Sequence, residues 1–421
     1  MTTVTALGAI LGMAVAVVLI LKKVQPTYAM IAGAIAGGLI GGAGLTGTVN
    51  YMIEGTQGIV SAIVRIVAAG VLVGTLIESG AAERIADVIM KKLGAKRCLV
   101  AMMLSTWVLT AVGVFGDVAC LTVAPIAIAM ARKTGYRSLG VLMALVGGVK
   151  AGNVMSPNPN TIAAAEGYGV PLTSVMIAGI IPAVTALIVT GLIARYLAFK
   201  GSELKAETSA TETNDNLPSF LAAVSGPLVT IGLLLLRPIA GITIDPLIAL
   251  PVGGLAGMLF MGKLNHVVHY MSVGLNKMSG VVLLLIGTGC LSGIISNSTL
   301  KDVIIQGVEM VGLPGFMLAP IAGTLMGAAT ASSTAGTTLG AQIFGPTVLQ
   351  LGVSPLAGAA MTHAGSFVFD GLPHGSFFHV SAGAVNMQIS ERLKLIVFES
   401  INGLAMVAAS VIAFGILKIA G

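Results

Sequence analysis

Ionisable side chains are rare in this chain, and those inside its long apolar stretches are the first candidates for chemistry. Of 421 residues, 22 are Lys or Arg and 16 are Asp or Glu. Lys150 stands in one apolar stretch, where its ammonium could bind a carboxylate, pair with Asp117 or reach toward water. Asp117 follows Gly113-Val-Phe-Gly116, and its carboxylate could carry a proton, bind a cation or only cap a helix.

A short polar segment follows Lys150. It reads Ser156-Pro157-Asn158-Pro159-Asn160 and continues with Thr161, and this pair of prolines cannot continue a helix. Amides, hydroxyls and freed backbone groups suit the hydroxyl and carboxylate oxygens of a ligand. The alternative is plain capping of two half-helices. We predict ligand binding by Asn153, Ser156, Asn158, Asn160 and Thr161.

A second polar set lies in the other half of the chain. Small hydroxyls occur in the segment Ala331 to Gly336, where they could bind an oxygen-rich ligand or only allow close helix packing. A second break is predicted from Asp370 to Ser376. The predicted ligands here are Ser332, Ser333, Thr334, Ser366, His374 and Ser376. The predicted ion-coupling residues are Asp117, His363, Asp370 and His374. The two histidines are included because His titrates near neutral pH.

The remaining ionisable groups have expected roles that are mainly structural. We expect Glu399 to be a buried counter-ion and Arg65 to be a structural partner. Glu166 and Asp245 are expected in loops, and His379 at the cytoplasmic mouth of the transport path. His266 and His269 are expected to be solvated.

Enzyme patterns are absent from the sequence. His374 and His379 have no carboxylate between them, so no zinc-protease motif is present, and no phosphate-binding loop occurs. Cys98, Cys120 and Cys290 lie within apolar segments and are expected to pack rather than to bind metal. We therefore expect no cofactor and no enzymatic activity.

The composition indicates the elements that must position these residues. Hydrophobic residues make up 56% of the chain, charged residues 9%, and the mean hydropathy is +1.00. A soluble protein could not cover its surface with so few charges, and an outer-membrane barrel would alternate polar and apolar residues. We predict an all-α polytopic membrane protein with about ten transmembrane helices.

Basic clusters predict the orientation of the helices. Lys and Arg collect in cytoplasmic loops, and Lys263 with Lys277 and Arg392 with Lys394 are two of the basic clusters that indicate such loops. The clusters account for the net charge of +6 without nucleic acid. The first apolar run is read as a retained helix, and both termini are predicted outside. Expected helices are 4–21, 27–49, 58–79, a broken 138–168, 172–194, 218–236, 243–261, 278–298, a broken 355–384 and 395–417, with an amphipathic stretch at 81–93.

In two places, a pair of short apolar runs predicts a re-entrant hairpin. The tips of the two hairpins are expected near 113–117 and 331–336. The order of elements is the same in both halves, and Val73-Gly-Thr75 with Ser79 recurs as Ile286-Gly-Thr288 with Ser292. Two inverted-topology repeats are expected, an arrangement of secondary transporters. The predicted divisions are 1–50 (scaffold helices), 51–199 (first repeat), 200–216 (cytoplasmic linker), 217–262 (scaffold helices) and 263–421 (second repeat).

The chain resembles the gluconate permease family, the gluconate:proton symporters of the ion-transporter superfamily. The resemblance lies in the segments 80–97, 116–125, 156–165, 352–355 and 365–369. It implies transport, an elevator-like motion and a homodimer. This chain departs from the family at three places in the expected site. The segment 150–160 holds no His, although the family has His there. Asp117 stands where the family has a Glu in the first hairpin, and Pro373-His374 stand where the family has an Asn-Asp pair. These departures indicate a carboxylate other than gluconate.

The sequence therefore predicts proton-coupled uptake of a small organic anion, a hydroxycarboxylate or sugar acid, across the bacterial cytoplasmic membrane. Three alternatives remain open at this point. One is a Na⁺-coupled carboxylate symporter, because Asn158 and Asn160 offer hard oxygen ligands. Another is a cation:proton antiporter without an organic substrate, and a regulated pore or sensor is the third.

Overall fold

The computed structural model describes residues 3–204 and 217–419, and within them the chain is helical without a β-strand. Most of the predicted linker, 205–216, lies outside the described residues. The first half contains α1 (Ala6–Leu21), α2 (Pro26–Ile40), α3 (Gly44–Gln57), α4 (Val60–Glu78), α5 (Ala81–Leu93), α6 (Cys98–Ala111), α7 (Gly116–Thr134), α8 (Ser138–Asn153), α9 (Pro159–Gly167), α10 (Leu172–Ala178) and α11 (Ile180–Leu197).

The second half contains α12 (Phe220–Ala240), α13 (Pro246–Phe260), α14 (Val267–Ser296), α15 (Leu300–Val311), α16 (Leu318–Thr330), α17 (Ser333–Leu339), α18 (Gly345–Gln350), α19 (Pro355–Gly365), α20 (Ser376–Ala384) and α21 (Ile389–Ser410). A π-helical segment, Gly340–Phe344, joins α17 to α18, and another, Val411–Ile416, extends α21.

Five helical segments of the described chain are long and apolar enough to cross a membrane: α4, α10 with α11, α12, α14 with the turn before it, and α21. The number is six if α5 and α6, bent by 102° at their junction, form one span. Shorter apolar helices of 10 to 17 residues include α1, α2, α8 and α13. The all-helical membrane class is confirmed.

Two predicted helices have different bounds in the structure. The helix expected over 27–49 is divided, because α2 ends at Ile40 and the backbone turns at Gly42 and Gly44, where φ is 89° and 69°. Those values suit glycine. The helix expected over 278–298 begins much earlier, at Val267. His269 is therefore helical, and its exposed ring contacts Glu78 with 3.1 Å between Nε2 and Oε2.

The two turns and the two breaks occur where the sequence predicts them. The chain turns between α6 and α7 at Gly113, where φ is 101°, and between α16 and α17 at Ala331. The first break separates α8 from α9, which has Pro159 in its first turn, where a missing N–H costs nothing. The second break separates α19 from α20.

Helices pack in the same way in both halves. The first arm of each hairpin lies against the segment before the break, α6 on α8 and α16 on α19. Glycines allow this close approach: a Cβ on Gly152 would lie 2.5 Å from the carbonyl oxygen of Trp107, and one on Gly327 would lie 2.7 Å from that of Ser366. The second arms cross between the halves, α7 onto α20 and α17 onto α9. Both turns and both breaks consequently meet in one region.

One sequence match between the halves is misaligned. Ser79 Oγ accepts a hydrogen bond from the Ala81 backbone at the start of α5, at 3.2 Å. Ser298 Oγ makes the same bond with Leu300 N at the start of α15, at 3.2 Å. Ser292, the residue matched to Ser79 by sequence, lies inside α14 and donates to the Gln342 carbonyl. Ser298 is thus the structural counterpart of Ser79.

Candidate functional site

A cavity of about 380 Å³ opens where the two turns and the two breaks meet. It brings together residues from both halves of the chain that the sequence predicts as ligands or coupling residues. Those that line it are Asp117, Asn153, Ser332, Ser333, Thr334, Asp370 and Ser376. Two aromatic residues also line it, Phe115 before α7 and Phe377 of α20, and the ring of Phe377 lies beside Gly116.

Asn160 lies behind the cavity wall and contacts two residues that line the cavity. Its side chain is 3% exposed and does not line the cavity. The amide donates to Ser333 Oγ at 3.2 Å, and its oxygen accepts from Thr334 Oγ1 at 2.5 Å. Asn160 therefore fixes two of the hydroxyls that line the cavity, those of Ser333 and Thr334, and it joins the first break to the turn of the second hairpin.

The rest of the first break is occupied by capping bonds. Asn158 Oδ1 accepts from Thr161 N at 3.1 Å, which caps α9. Its amide donates to the Asn153 carbonyl and to Ser156 Oγ, each at 2.8 Å. Ser156, Asn158 and Thr161 are buried and lie off the cavity. The structure thus places these three as a frame for Asn153 and Asn160, which matches the capping alternative.

Asp117 is half-buried in the first turn of α7. Its Oδ1 accepts a hydrogen bond from Val118 N at 2.9 Å. Within residues 3–204 and 217–419, no cationic side chain lies within 4.0 Å of its carboxylate. The negative charge of Asp117 is therefore open to the cavity.

A buried charge cluster forms the wall beside Asp370. We use this name for Lys150, Asp370, Arg392 and Glu399, whose relative exposures are all 5% or less. Lys150 Nζ lies 2.6 Å from Asp370 Oδ1 and 3.8 Å from Glu399 Oε2, and it donates to the Phe367 carbonyl at 2.9 Å. Arg392 pairs with Glu399. Two cations and two carboxylates balance, which is what burial in a low-dielectric interior demands.

Lys150 is held by protein oxygens, and Glu399 is a counter-ion within the cluster. The ammonium of Lys150 is engaged by protein oxygens, so in this conformation it is not a free partner for a ligand, and its carboxylate partner is Asp370 rather than Asp117. Glu399 is a buried counter-ion, as expected. The cluster reaches the cavity only through Asp370.

The predicted histidines lie away from the cavity. His363 is 1% exposed, its Nε2 has no hydrogen-bond partner in the described chain, and its ring lies 5.3 Å from that of Phe367. His374 is half-buried and its Nε2 also lacks a partner there. His379 is exposed and contacts the Pro373 carbonyl at 2.8 Å. Ser366 is buried and bonded to Thr337 Oγ1 at 2.8 Å, so it too lies off the cavity.

Two cationic residues of the site were missed by the sequence analysis. Lys277 on α14 is exposed and lines the cavity beside Gly280; the sequence assigned it to a cytoplasmic basic cluster. Arg392 was assigned in the same way but is fully buried. A signal existed for Arg392, because seven residues separate it from Glu399, which places both on one helix face. No local signal marks Lys277.

Arg65 has the structural role predicted for it. Its guanidinium pairs with Glu166 of α9 and with Asp245 at the start of α13, the latter with 2.7 Å between Nη2 and Oδ2. Ser61 Oγ donates to Glu166 at 2.5 Å. Glu166 belongs to the last turn of α9, so its predicted loop position is wrong, whereas Asp245 does lie in a loop as a helix cap.

Comparison with known proteins places the chain among transporters. Residues 3–419 match the family model GntP family permease. An uncharacterized transporter of Haemophilus influenzae is 56% identical over 99% of this chain and 100% of its own length. A gluconate permease of Pseudomonas aeruginosa is 24% identical, with 92% of each chain covered. A D-serine transporter of Escherichia coli is 23% identical over 74% of this chain and 76% of its own.

A solved structure shares the fold. The YdaH transporter of Alcanivorax borkumensis has a TM-score of 0.64 over 87% of this chain and 88% of that one, at 16% identity. The fold, the apolar helices and the relatives define an integral membrane transporter. Since the family model spans nearly the whole chain, the protein belongs to the GntP family of permeases. These relatives confirm the predicted family and the prediction that the chain is a transporter and not an enzyme.

Proposed function

We propose that this permease imports a small organic anion, a hydroxycarboxylate or a sugar acid, together with protons across the bacterial cytoplasmic membrane. One observation carries the proposal: Asp370 belongs both to the cavity wall and to the buried charge cluster. A group in that position can link the occupancy of the cavity to the charge behind it.

The cavity has the chemistry of a hydroxylated carboxylate. Lys277 supplies a cation, and the hydroxyls of Ser332, Ser333 and Thr334 supply donors and acceptors. Asn153 and Ser376 add an amide and a further hydroxyl. A volume of about 380 Å³ lies in the range of small-molecule sites. The substrate carboxylate is assigned to Lys277 and the substrate hydroxyls to the turn between α16 and α17.

Coupling follows from the charge balance of the cluster. With all four groups ionised, its net charge is zero. A proton on Asp370 leaves Lys150 and Arg392 facing only Glu399, so a net positive charge develops beside the cavity and favours an anion there. Linkage is reciprocal, so a bound anion favours the proton equally. His363 and His374 lie off the cavity, and the proposal therefore gives the proton to Asp370, with Asp117 as a second carrier.

A second candidate substrate is a small zwitterionic amino acid. Asp117 faces the cavity without a cationic partner in the described chain, and it would suit an ammonium group while Lys277 binds the carboxylate. One relative is a D-serine transporter. This candidate keeps the same cavity and adds one specific role, for Asp117.

The proposal includes a membrane topology. It has about ten spans, two re-entrant hairpins and inverted repeats at 51–199 and 263–421, with both termini outside and 200–216 on the cytoplasmic side. The matching packing of α6 on α8 and α16 on α19 supports two equivalent halves. The segments 1–50 and 217–262 are the proposed scaffold of a homodimer, against which the repeats move in an elevator-like cycle.

The test is uptake into proteoliposomes of labelled hydroxycarboxylates, sugar acids and amino acids, driven by an imposed pH gradient or by a Na⁺ gradient. We expect proton-driven uptake of one acid, lost in Lys277→Gln and Asp370→Asn. Loss in Asp117→Asn with an amino acid as substrate would instead establish the second candidate. Uptake driven only by Na⁺ would contradict the proposal. A proton flux that depends on Na⁺, without uptake of any acid, would contradict it as well.

A further inference from the structure

A groove lies between α10 and α12, away from the substrate cavity. Its polar part is a cavity of about 350 Å³ lined by Arg65, Glu166, Arg237 and Asp245. Its apolar part is a cavity of about 380 Å³ lined by Trp107, Met176, Ile177, Ile180, Ile231 and Leu235. Thr173 and Leu234 line both cavities, so the two parts adjoin and form one amphipathic groove.

The charges of the polar part are arranged on two sides. Glu166 and Asp245 face Arg65, which pairs with both. Arg237 contacts only hydroxyls, with 3.2 Å from Nη1 to Ser174 Oγ and 3.5 Å to Thr173 Oγ1. Among the carboxylates whose side chains the structure describes, none lies within 4.0 Å of its guanidinium. Thr173, which lines the groove, keeps a hydrogen to donate, so it and Arg237 offer an anion several donors.

The polar and apolar parts of the groove follow each other in the same order as the headgroup and acyl chains of a membrane lipid. Phe220–Ala240 is long and apolar enough to span a membrane, and Arg237 stands in its last turn. Ile231 precedes Arg237 by six residues, which places it about 9 Å deeper at 1.5 Å of rise per residue. The polar part therefore lies at the depth of lipid headgroups, and the apolar part lies at the depth of acyl chains.

We propose that this groove binds one phospholipid with a primary-amine headgroup, of the phosphatidylethanolamine type. The lipid phosphate accepts from Arg237 and Thr173, and the ammonium donates to the carboxylates of Glu166 and Asp245. One acyl chain occupies the apolar part beside Trp107. The four charged side chains of the polar part sum to zero, which matches a zwitterionic headgroup. Phosphatidylglycerol would bring no ammonium to the two carboxylates, and a quaternary amine has no N–H to donate.

Trp107 gives a direct measurement, because it is the one tryptophan of the 421-residue sequence and it lines the apolar part. The purified permease is reconstituted in bilayers of phosphatidylcholine with increasing fractions of a lipid whose acyl chains carry bromine, and quenching of Trp107 fluorescence is recorded. We expect brominated phosphatidylethanolamine to bind about tenfold more tightly than brominated phosphatidylcholine, a ratio equal to about 1.4 kcal/mol. Brominated phosphatidylglycerol is expected to show no such preference.

Three variants of the groove and one control variant complete the test. Arg237→Gln, and the milder Thr173→Val, should remove most of the headgroup preference, whereas Ile231→Phe should fill the apolar part and lower quenching by every lipid. Arg195→Gln is the matched control, since Arg195 is exposed in the last turn of α11 and does not line the groove; it should keep the preference. Equal quenching by all headgroups, stronger quenching by the anionic lipid, or an unchanged preference in both Arg237→Gln and Thr173→Val would overturn the proposal.

Discussion

At the scale of single residues, the buried charge cluster determines what the other polar groups can do. Lys150 is held by Asp370 and by the Phe367 carbonyl, and Glu399 is shared between Lys150 and Arg392. Each charge has a partner, so removing one leaves another uncompensated in a low-dielectric interior. The cluster is therefore a structural element as well as the proposed store of the coupling proton.

Lys150→Met should be strongly destabilising. It leaves two buried carboxylates facing only Arg392, and breaking such a pair costs about 3 to 5 kcal/mol. The double variant Lys150→Met with Asp370→Asn should recover a large part of that loss, because the net charge is balanced again. The measurement is the free energy of unfolding in mixed micelles, with Lys277→Met, an exposed change within about 0.5 kcal/mol of the native value, as control. A Lys150→Met protein as stable as the native one would contradict the pairing.

At the scale of helices, the site depends on close contacts between hairpin arms and broken helices. Gly152 on α8 lies against the backbone of α6, and Gly327 on α16 lies against α19. Asn160 joins the first break to the turn of the second hairpin. Arg65 joins α4 to α9 and to the start of α13. These contacts hold the cavity walls at their observed separation.

Gly152→Ala should lower stability, whereas Gly191→Ala should not. A Cβ on Gly152 would lie 2.5 Å from the carbonyl oxygen of Trp107 and 2.7 Å from Ala111 N, so α6 and α8 must separate. A Cβ on Gly191 meets no described atom within 4 Å, and alanine there is favoured over glycine by up to about 1 kcal/mol. Thermal unfolding in detergent should show a lower melting temperature for the first variant and an equal or higher one for the second. Equal melting temperatures would refute the close-contact argument.

Asp245 should make stability depend on pH. The hydrogen bond from Arg65 lowers the pKa of Asp245, which lies in the loop before α13. A carboxyl group with a lowered pKa adds stability above its unfolded pKa of about 3.9 and loses that contribution as pH falls through the folded value. The melting temperature of the native protein should therefore fall more steeply below pH 4 than that of Asp245→Asn. Asp302→Asn, at an exposed site, serves as control, and identical pH profiles for Asp245→Asn and the native protein would be the contrary result.

At the scale of the whole molecule, the two halves share one packing scheme around one cavity. Hairpin arms pack on broken helices within each half, and the second arms cross onto the broken helices of the other half. The proposal that the halves are inverted relative to each other makes the amphipathic helices α5 and α15 face opposite sides of the membrane. Lys92 and Lys301 are exposed residues of these helices.

Cysteine labelling tests that orientation. A membrane-impermeant maleimide added to intact cells should label Lys301→Cys and not Lys92→Cys, and the latter should react only after the cells are opened. The three native cysteines are buried and unpaired, so their background should be low. Labelling of both positions, or of neither, from one side would rule out the inverted arrangement.

Local signals in the sequence were enough for the breaks and turns, and they were insufficient for the charge partners. The prolines and asparagines of 156–160 act on their own backbone, so the first break could be predicted from them. The contact between Lys150 and Asp370 joins residues 220 positions apart, and no local pattern specifies such a pairing. The distribution of basic residues placed Lys277 in a cytoplasmic loop. Only the packing of α14 places it at the cavity.

The most direct measurement of the central claim is the proton uptake that accompanies substrate binding. Purified protein in weakly buffered detergent, with a pH-sensitive dye, is mixed with the acid identified by uptake. We predict that the native permease takes up a proton with the bound anion and that Asp370→Asn binds the anion without proton uptake. Proton uptake that persists undiminished in Asp370→Asn, or anion binding without any proton in the native protein, would contradict the account.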